Sequence, residues 1–168
     1  MRTEEAMERL QVGQTAPDFE VPALVNGIRK KFNLNDYRGK KNVVMAFHPV
    51  NWTPVCDLQM PAYNAALAKF ADLDAQVVGI SVDSIYSTMA WEKRIGPINY
   101  PLASDYFPHG EVATKYGVFR DYEPFAGVSE RAVFVLDKLG KIVFSKVYEL
   151  GQVPDTEEIF SVLRTLGS

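Results

Sequence analysis

The chain carries a single cysteine, Cys56, within the run Pro49-Val50-Asn51-Trp52-Thr53-Pro54-Val55-Cys56. Thr53 is a helix N-cap residue type, and Pro54 suits the first helical position, where its missing N–H costs nothing. This spacing puts Cys56 at the third helical position, beside unpaired N–H groups and the positive end of the helix dipole. In a capping box that slot holds a carboxylate. A thiolate can occupy it instead, and its pKa is then expected below the free value of about 8.5. A lone cysteine is otherwise a small buried hydrophobe. The location favours a nucleophile, because the ends of buried strands are where α/β proteins gather their ligand sites.

One cysteine excludes a disulfide within the chain and any zinc or iron–sulfur site built on several thiolates. With His48 and His109 as the only histidines, neither a metal site nor a cofactor is expected. The 168 residues include 18 Lys+Arg against 21 Asp+Glu, a net charge of −3. A nucleic-acid groove or an anionic membrane surface needs clustered positive charge, so neither partner is expected. No apolar run reaches the length of a membrane-spanning helix, and Met1-Arg2-Thr3-Glu4-Glu5 lacks a signal-peptide core. These readings point to the cytoplasm. At 47% hydrophobic and 23% charged, the composition suits one packed domain over 1–168, with 1–10 read as a loose helix or tail.

The elements that position Cys56 follow from periodicity. Asn42 to Phe47 and Gln76 to Val82 read as buried strands. Between them, 54–73 carries Val55, Leu58, Ala62, Ala65, Ala66, Leu67 and Phe70 at roughly helical spacing, with Pro61 expected to kink the helix. Strand, helix and strand make a parallel βαβ unit. Asp83-Ser84 caps a second helix through Trp91 and Ile95, and a short helix ends near Tyr116-Gly117. Ala132 to Leu136 and Lys141 to Ser145 flank Asp137-Lys138-Leu139-Gly140 as a hairpin, and a last helix opens at Pro154. The expected architecture is α/β: a thioredoxin-like fold whose central mixed sheet is flanked by helices, with an extension before the first strand and an insertion between the halves.

Pro49-x-x-x-Thr53-x-x-Cys56 resembles the active-site motif of the peroxiredoxin family. Gly13-x-x-Ala16-Pro17-Asp18-Phe19, the segment Leu34 to Lys41, and Arg131 to Asp137 resemble further family segments, so the likeness runs from about residue 12 to 165. The overall look is that of single-cysteine members of the bacterioferritin-comigratory or alkyl-hydroperoxide-reductase E type. The resemblance implies a thiol-dependent peroxidase for hydrogen peroxide or organic hydroperoxides, in which Cys56 becomes a sulfenic acid. It implies that the Thr53 hydroxyl and the Cys56 N–H contact the peroxide oxygens. Arg131 would hold the thiolate and the developing charge, and Pro49 would shield the sulfur. A homodimer paired near the active-site loop is also implied. Trp52 and His48 are expected as pocket wall or interface, His48 standing where the family usually has Tyr or Phe. Gln59 stands where many members carry Glu, and Pro61 where some keep a resolving cysteine. With no second cysteine, an external thiol (thioredoxin, glutathione or another small thiol) must regenerate Cys56.

Lowering the pKa is not enough for such chemistry. A thiol of pKa about 8.5 is about 3% ionised at pH 7. At about 6 it is roughly 90% ionised, a thirtyfold gain, of which the Brønsted slope returns roughly tenfold. Positioning and charge stabilisation must supply the remainder. Two rival readings share the fold. A thiol–disulfide oxidoreductase would want Cys-x-x-Cys or Cys-x-x-Ser, against Cys56-Asp57-Leu58-Gln59 here. A redox-sensing binding module would want an exposed apolar surface, which Trp52, Tyr122 and Phe125 could supply.

Overall fold

The structure is a computed structural model and describes residues 8–167. Seven strands form one mixed sheet: β1 (Glu20–Val25), β2 (Ile28–Asn33), β3 (Asn42–Phe47), β4 (Ala75–Ser81), β5 (Leu102–Ser104), β6 (Arg131–Leu136) and β7 (Ile142–Tyr148). Their spatial order is β2-β1-β5-β4-β3-β6-β7. The helices are α1 (Pro54–Ala65), α2 (Leu67–Asp72), α3 (Ile85–Ile95), α4 (Glu111–Lys115) and α5 (Thr156–Thr165). This is the thioredoxin-like α/β arrangement expected.

β3 runs parallel to β4 and antiparallel to β6, and β3 and β6 are buried at every position. Helices on both faces of the sheet explain why both strands read as continuous apolar runs instead of alternating ones. The side-chain period of two divides β3 between two cores. Val44 and Ala46 pack with Tyr63, Trp91 and Phe160, whereas Val43, Met45 and Phe47 pack with Tyr116 and Phe134. The register Phe47↔Ala132 brings the exit of β3 beside the start of β6. Arg131 therefore arrives next to the loop that leads to Cys56, although the two lie far apart in sequence.

Three expectations need correction. First, β1 and β2 form a hairpin within the stretch expected only as an extension before the first strand. Its Asn26-Gly27 corner has both residues left-handed, at φ 51° and 77°, the requirement that makes Asn-Gly the favoured two-residue hairpin turn. Second, the helix expected over 54–73 is two helices, interrupted at Ala66, while Pro61 lies inside α1. The buried face of α1 is Cys56, Gln59, Met60 and Tyr63, and Leu58 is 63% exposed. A polar pair points inward because a guanidinium waits there, so an apolar stripe was the wrong guide. Third, Leu10, the last residue of the expected tail, is tied down: its N–H donates to the Tyr116 carbonyl at 3.2 Å and its carbonyl accepts from Ser145 Oγ at 2.9 Å. Residues 1–7 of that expected tail lie outside the described residues. Among the described residues no helix is long and apolar enough to cross a membrane.

Candidate active site

Cys56 occupies the third position of α1, after Thr53 at the N-cap position and Pro54 as the first helical residue. Its thiol is free and fully buried. Arg131, 2% exposed, donates from Nη1 to Cys56 Sγ at 3.4 Å and to Gln59 Oε1 at 2.5 Å, and from Nε to the Leu150 carbonyl at 3.1 Å. Gln59 Nε2 donates in turn to the Tyr63 hydroxyl at 3.2 Å. Burial pushes the Tyr63 pKa up to about 12, so that hydroxyl is neutral. Among the described residues no carboxylate lies within ion-pair distance of Arg131. A buried cation without a counter-ion is costly, and the one ionisable group bonded to this guanidinium is the Cys56 thiol.

Beside the sulfur lies a mostly apolar cleft of about 460 Å³. Pro49, Val50, Thr53, Val55, Phe125, Val128, Arg131 and Leu150 are among its lining residues. Cys56 does not line it, so Arg131 is the side chain that both faces the cleft and touches the sulfur.

Pro49, Thr53, Cys56, Gln59 and Arg131 thus gather at one place, while Trp52 does not line the cleft. Its backbone turns left-handed (φ 75°) and its indole N–H donates to Ser87 Oγ on α3 at 3.2 Å, leaving the residue 43% exposed. Nor does Thr53 cap α1 with its side chain. Its hydroxyl donates to the Val50 carbonyl at 3.1 Å, fixing the loop's own bend. Sequence reasoning missed Leu150, whose backbone carbonyl carries no residue-type signal, and Tyr63, which α1 places one turn beyond Gln59. It also passed over Asn51.

The AhpC/TSA family matches residues 12–145. The chain belongs to the AhpC/TSA family. It is similar to a peroxiredoxin-type protein of Synechocystis sp., sll0755, at 38% identity over 165 residues, covering 95% of this chain and 80% of that one. Peroxiredoxin-2 of Bos taurus is 35% identical over 162 residues, covering 93% of this chain and 77% of the relative. Among solved structures, the reduced 2-Cys peroxiredoxin of Plasmodium vivax matches with a TM-score of 0.84 at 30% identity, over 91% of this chain and 80% of that one. The protein is a thiol-dependent peroxidase of the peroxiredoxin kind.

This AhpC/TSA chain has a buried histidine at the exit of β3. His48 stacks on Trp91, with ring centroids 5.5 Å apart, and its Nε2 lies 2.8 Å from Asn51 Oδ1. Asn51 Nδ2 already donates to Thr88 Oγ1 at 3.0 Å, so Asn51 Oδ1 accepts and the network assigns the proton to His48 Nε2. Nδ1 makes no hydrogen bond of good geometry among the described residues, while the Ala46 backbone favours the protonated ring.

Burial is the largest influence on His48 and drives its pKa below the ordinary 6.5, with Arg131 adding to the effect and Asn51 and Asp83 opposing it. The folded chain then binds fewer protons than the unfolded chain as pH falls below 6.5, so this residue removes stability in that range. Denaturant unfolding from about pH 7.5 down to about pH 5.5 is expected to show the wild type losing stability faster than His48→Phe, by up to about 1.4 kcal/mol per pH unit. Parallel stability curves would show that His48 accepts a proton in place.

Proposed function

We propose that Cys56 is the peroxidatic nucleophile of a one-cysteine cycle. The thiolate attacks one oxygen of a hydroperoxide, an S–O bond forms as the O–O bond breaks, and the leaving alkoxide or hydroxide takes a proton to become alcohol or water. Cys56 is left as a sulfenic acid. A first external thiol converts it to a mixed disulfide with loss of water, and a second thiol releases the Cys56 thiolate and an external disulfide. The observation that carries this reading is the buried Arg131 guanidinium at 3.4 Å from Sγ, with no carboxylate among the described residues to neutralise it. Arg131 holds the thiolate and the charge that develops on oxygen, Thr53 and the Cys56 N–H orient the peroxide, and Pro49 keeps water from the sulfur. Gln59 supplies orientation to Arg131 without adding a charge.

The count of one cysteine supports the external-thiol cycle, with thioredoxin, glutathione or another small thiol as reductant. The cleft admits organic hydroperoxides as well as hydrogen peroxide, because its walls are mostly apolar and its volume lies within the range of small-molecule sites. The exposed aromatic residues Trp52, in the active-site loop, and Phe125, on the cleft wall, support a homodimer that covers this side.

Intact-mass spectrometry after one equivalent of cumene hydroperoxide tests the reading. One added oxygen is expected, converted to an adduct at Cys56 when a sulfenic-acid trap is present and removed by excess thiol. Oxidation no faster than that of free cysteine would reject it.

A further inference from the structure

The loop bearing Pro49 and Thr53 is fastened to the start of α3, and the fastening runs through one amide. Asn51 is 2% exposed, and its backbone N–H and both side-chain polar atoms are hydrogen-bonded. Its backbone N–H donates to Asp83 Oδ2 at 2.9 Å, just before the α3 N-cap. Its Nδ2 donates to Thr88 Oγ1 at 3.0 Å in the first turns of α3, and its Oδ1 accepts from His48. The neighbouring Trp52 holds a left-handed backbone while its indole bonds Ser87 of the same helix. A bulky residue keeps that conformation only where its surroundings over-determine it. Further along α3, Trp91 Nε1 donates to Asp57 Oδ1 at 2.7 Å and Arg94 pairs with Asp57 Oδ2 at 3.2 Å. The segment 48–57 is therefore gripped by α3 on both sides of Cys56, yet Asn51, Thr88 and Trp91 neither line the cleft nor bond the sulfur.

We propose that Asn51 is a positioning residue through which α3 clasps the active-site loop shut. The inference rests on the peroxidase reading above and adds to it a mechanical role for a helix outside the site. With the clasp made, Thr53 lines the cleft and Cys56 stays against Arg131, the side chain that joins sulfur and cleft. With it broken, the first turn of α1 loosens, the sulfur leaves the guanidinium, and a thiol that is fully buried becomes reachable. Donors and acceptors buried this deeply have no water to fall back on, so losing one partner weakens the closed state directly. A peroxide needs the closed arrangement, because its reaction depends on geometry. An alkylating reagent needs the open one. Loosening the clasp must move those two reactivities in opposite directions.

Thr88→Val removes the hydroxyl that Asn51 donates to while keeping the side-chain shape, and Thr88→Ser keeps the hydroxyl. The second-order rate of Cys56 oxidation by hydrogen peroxide is expected to fall about tenfold in Thr88→Val. Alkylation by iodoacetamide in the same variant is expected to rise at least about threefold, and Thr88→Ser to restore both to within about twofold of wild type. Thermal unfolding run alongside identifies a purely structural role, which lowers the melting temperature without opposed changes in the two rates. That result, or two rates that move together or stay put, would overturn the clasp. A wild-type chain that consumes no peroxide would overturn the peroxidase reading instead, and the alkylation comparison would still decide the clasp.

Discussion

Replacing Arg131 with methionine is expected to slow the reaction of Cys56 with peroxide by about a hundredfold to a thousandfold, the loss typical of deleting one preorganised donor to developing charge. Stability should change by no more than about 2 kcal/mol, because opposing effects nearly cancel. Methionine keeps much of the apolar stem and relieves the chain of a buried guanidinium that meets no carboxylate among the described residues. Against that, Gln59 Oε1 and the Leu150 carbonyl lose their donor. Each such orphan costs about 1–3 kcal/mol when no water replaces the donor. Arg131→Lys retains the charge but not the rigid fork that bonds sulfur, amide and carbonyl together, so it should recover only part of the rate. Stopped-flow tryptophan fluorescence with hydrogen peroxide gives the rates, and thermal unfolding gives the stabilities. A methionine variant as fast as the wild type would reduce Arg131 to a structural strut between β6, α1 and the Leu150 backbone.

The strand pairing that delivers Arg131 shows where the sequence is informative. β3 and β6 are unbroken apolar runs bounded by turn residues, and such runs declare themselves as buried strands. The Thr53-Pro54 start of α1 is equally local. What the sequence does not carry is the partner across the sheet. Arg131 reads as an ordinary charge before a strand until the β3–β6 register sets it opposite the loop that leaves Phe47, and its likeness to a family segment supplied that pairing in advance. The buried face of α1 fails for a related reason. Periodicity counts apolar residues, and this face turns Cys56 and Gln59 inward to meet a guanidinium while Leu58 faces out. Thr53 was expected to cap because its type and place agree, yet its hydroxyl finds the Val50 carbonyl first. Asn51 gave no signal, since an asparagine in a Pro-rich loop is most simply a turn residue. Its importance comes from α3, thirty-odd residues further on. The Asn26-Gly27 hairpin was legible and was passed over.

Cys56→Ser should lower peroxide consumption by at least about a thousandfold, since removing the nucleophile forfeits the chemical step itself. The fold is expected to survive the exchange with a loss below about 2 kcal/mol. Serine has the same shape with a smaller atom, and its hydroxyl can still accept from Arg131 where Sγ does now. A hydroxyl resists ionisation far more than a thiol does, so the guanidinium loses the anion proposed to balance it, and no other cysteine stands in the chain to take over. The rival acceptors of oxygen are the methionines. Met60, on the same face of α1, is fully buried, and its Sδ lies 3.3 Å from the Tyr100 hydroxyl, which donates to the Met60 carbonyl at 2.7 Å. A neutral thioether in that setting reacts through local opening, not through the site. Mass spectrometry under one equivalent of hydroperoxide should therefore show the wild type gaining an oxygen atom promptly and the serine variant remaining unmodified over the same interval. Prompt oxygen uptake by the serine variant would move the chemistry to a methionine and leave the Arg131–Cys56 contact as packing.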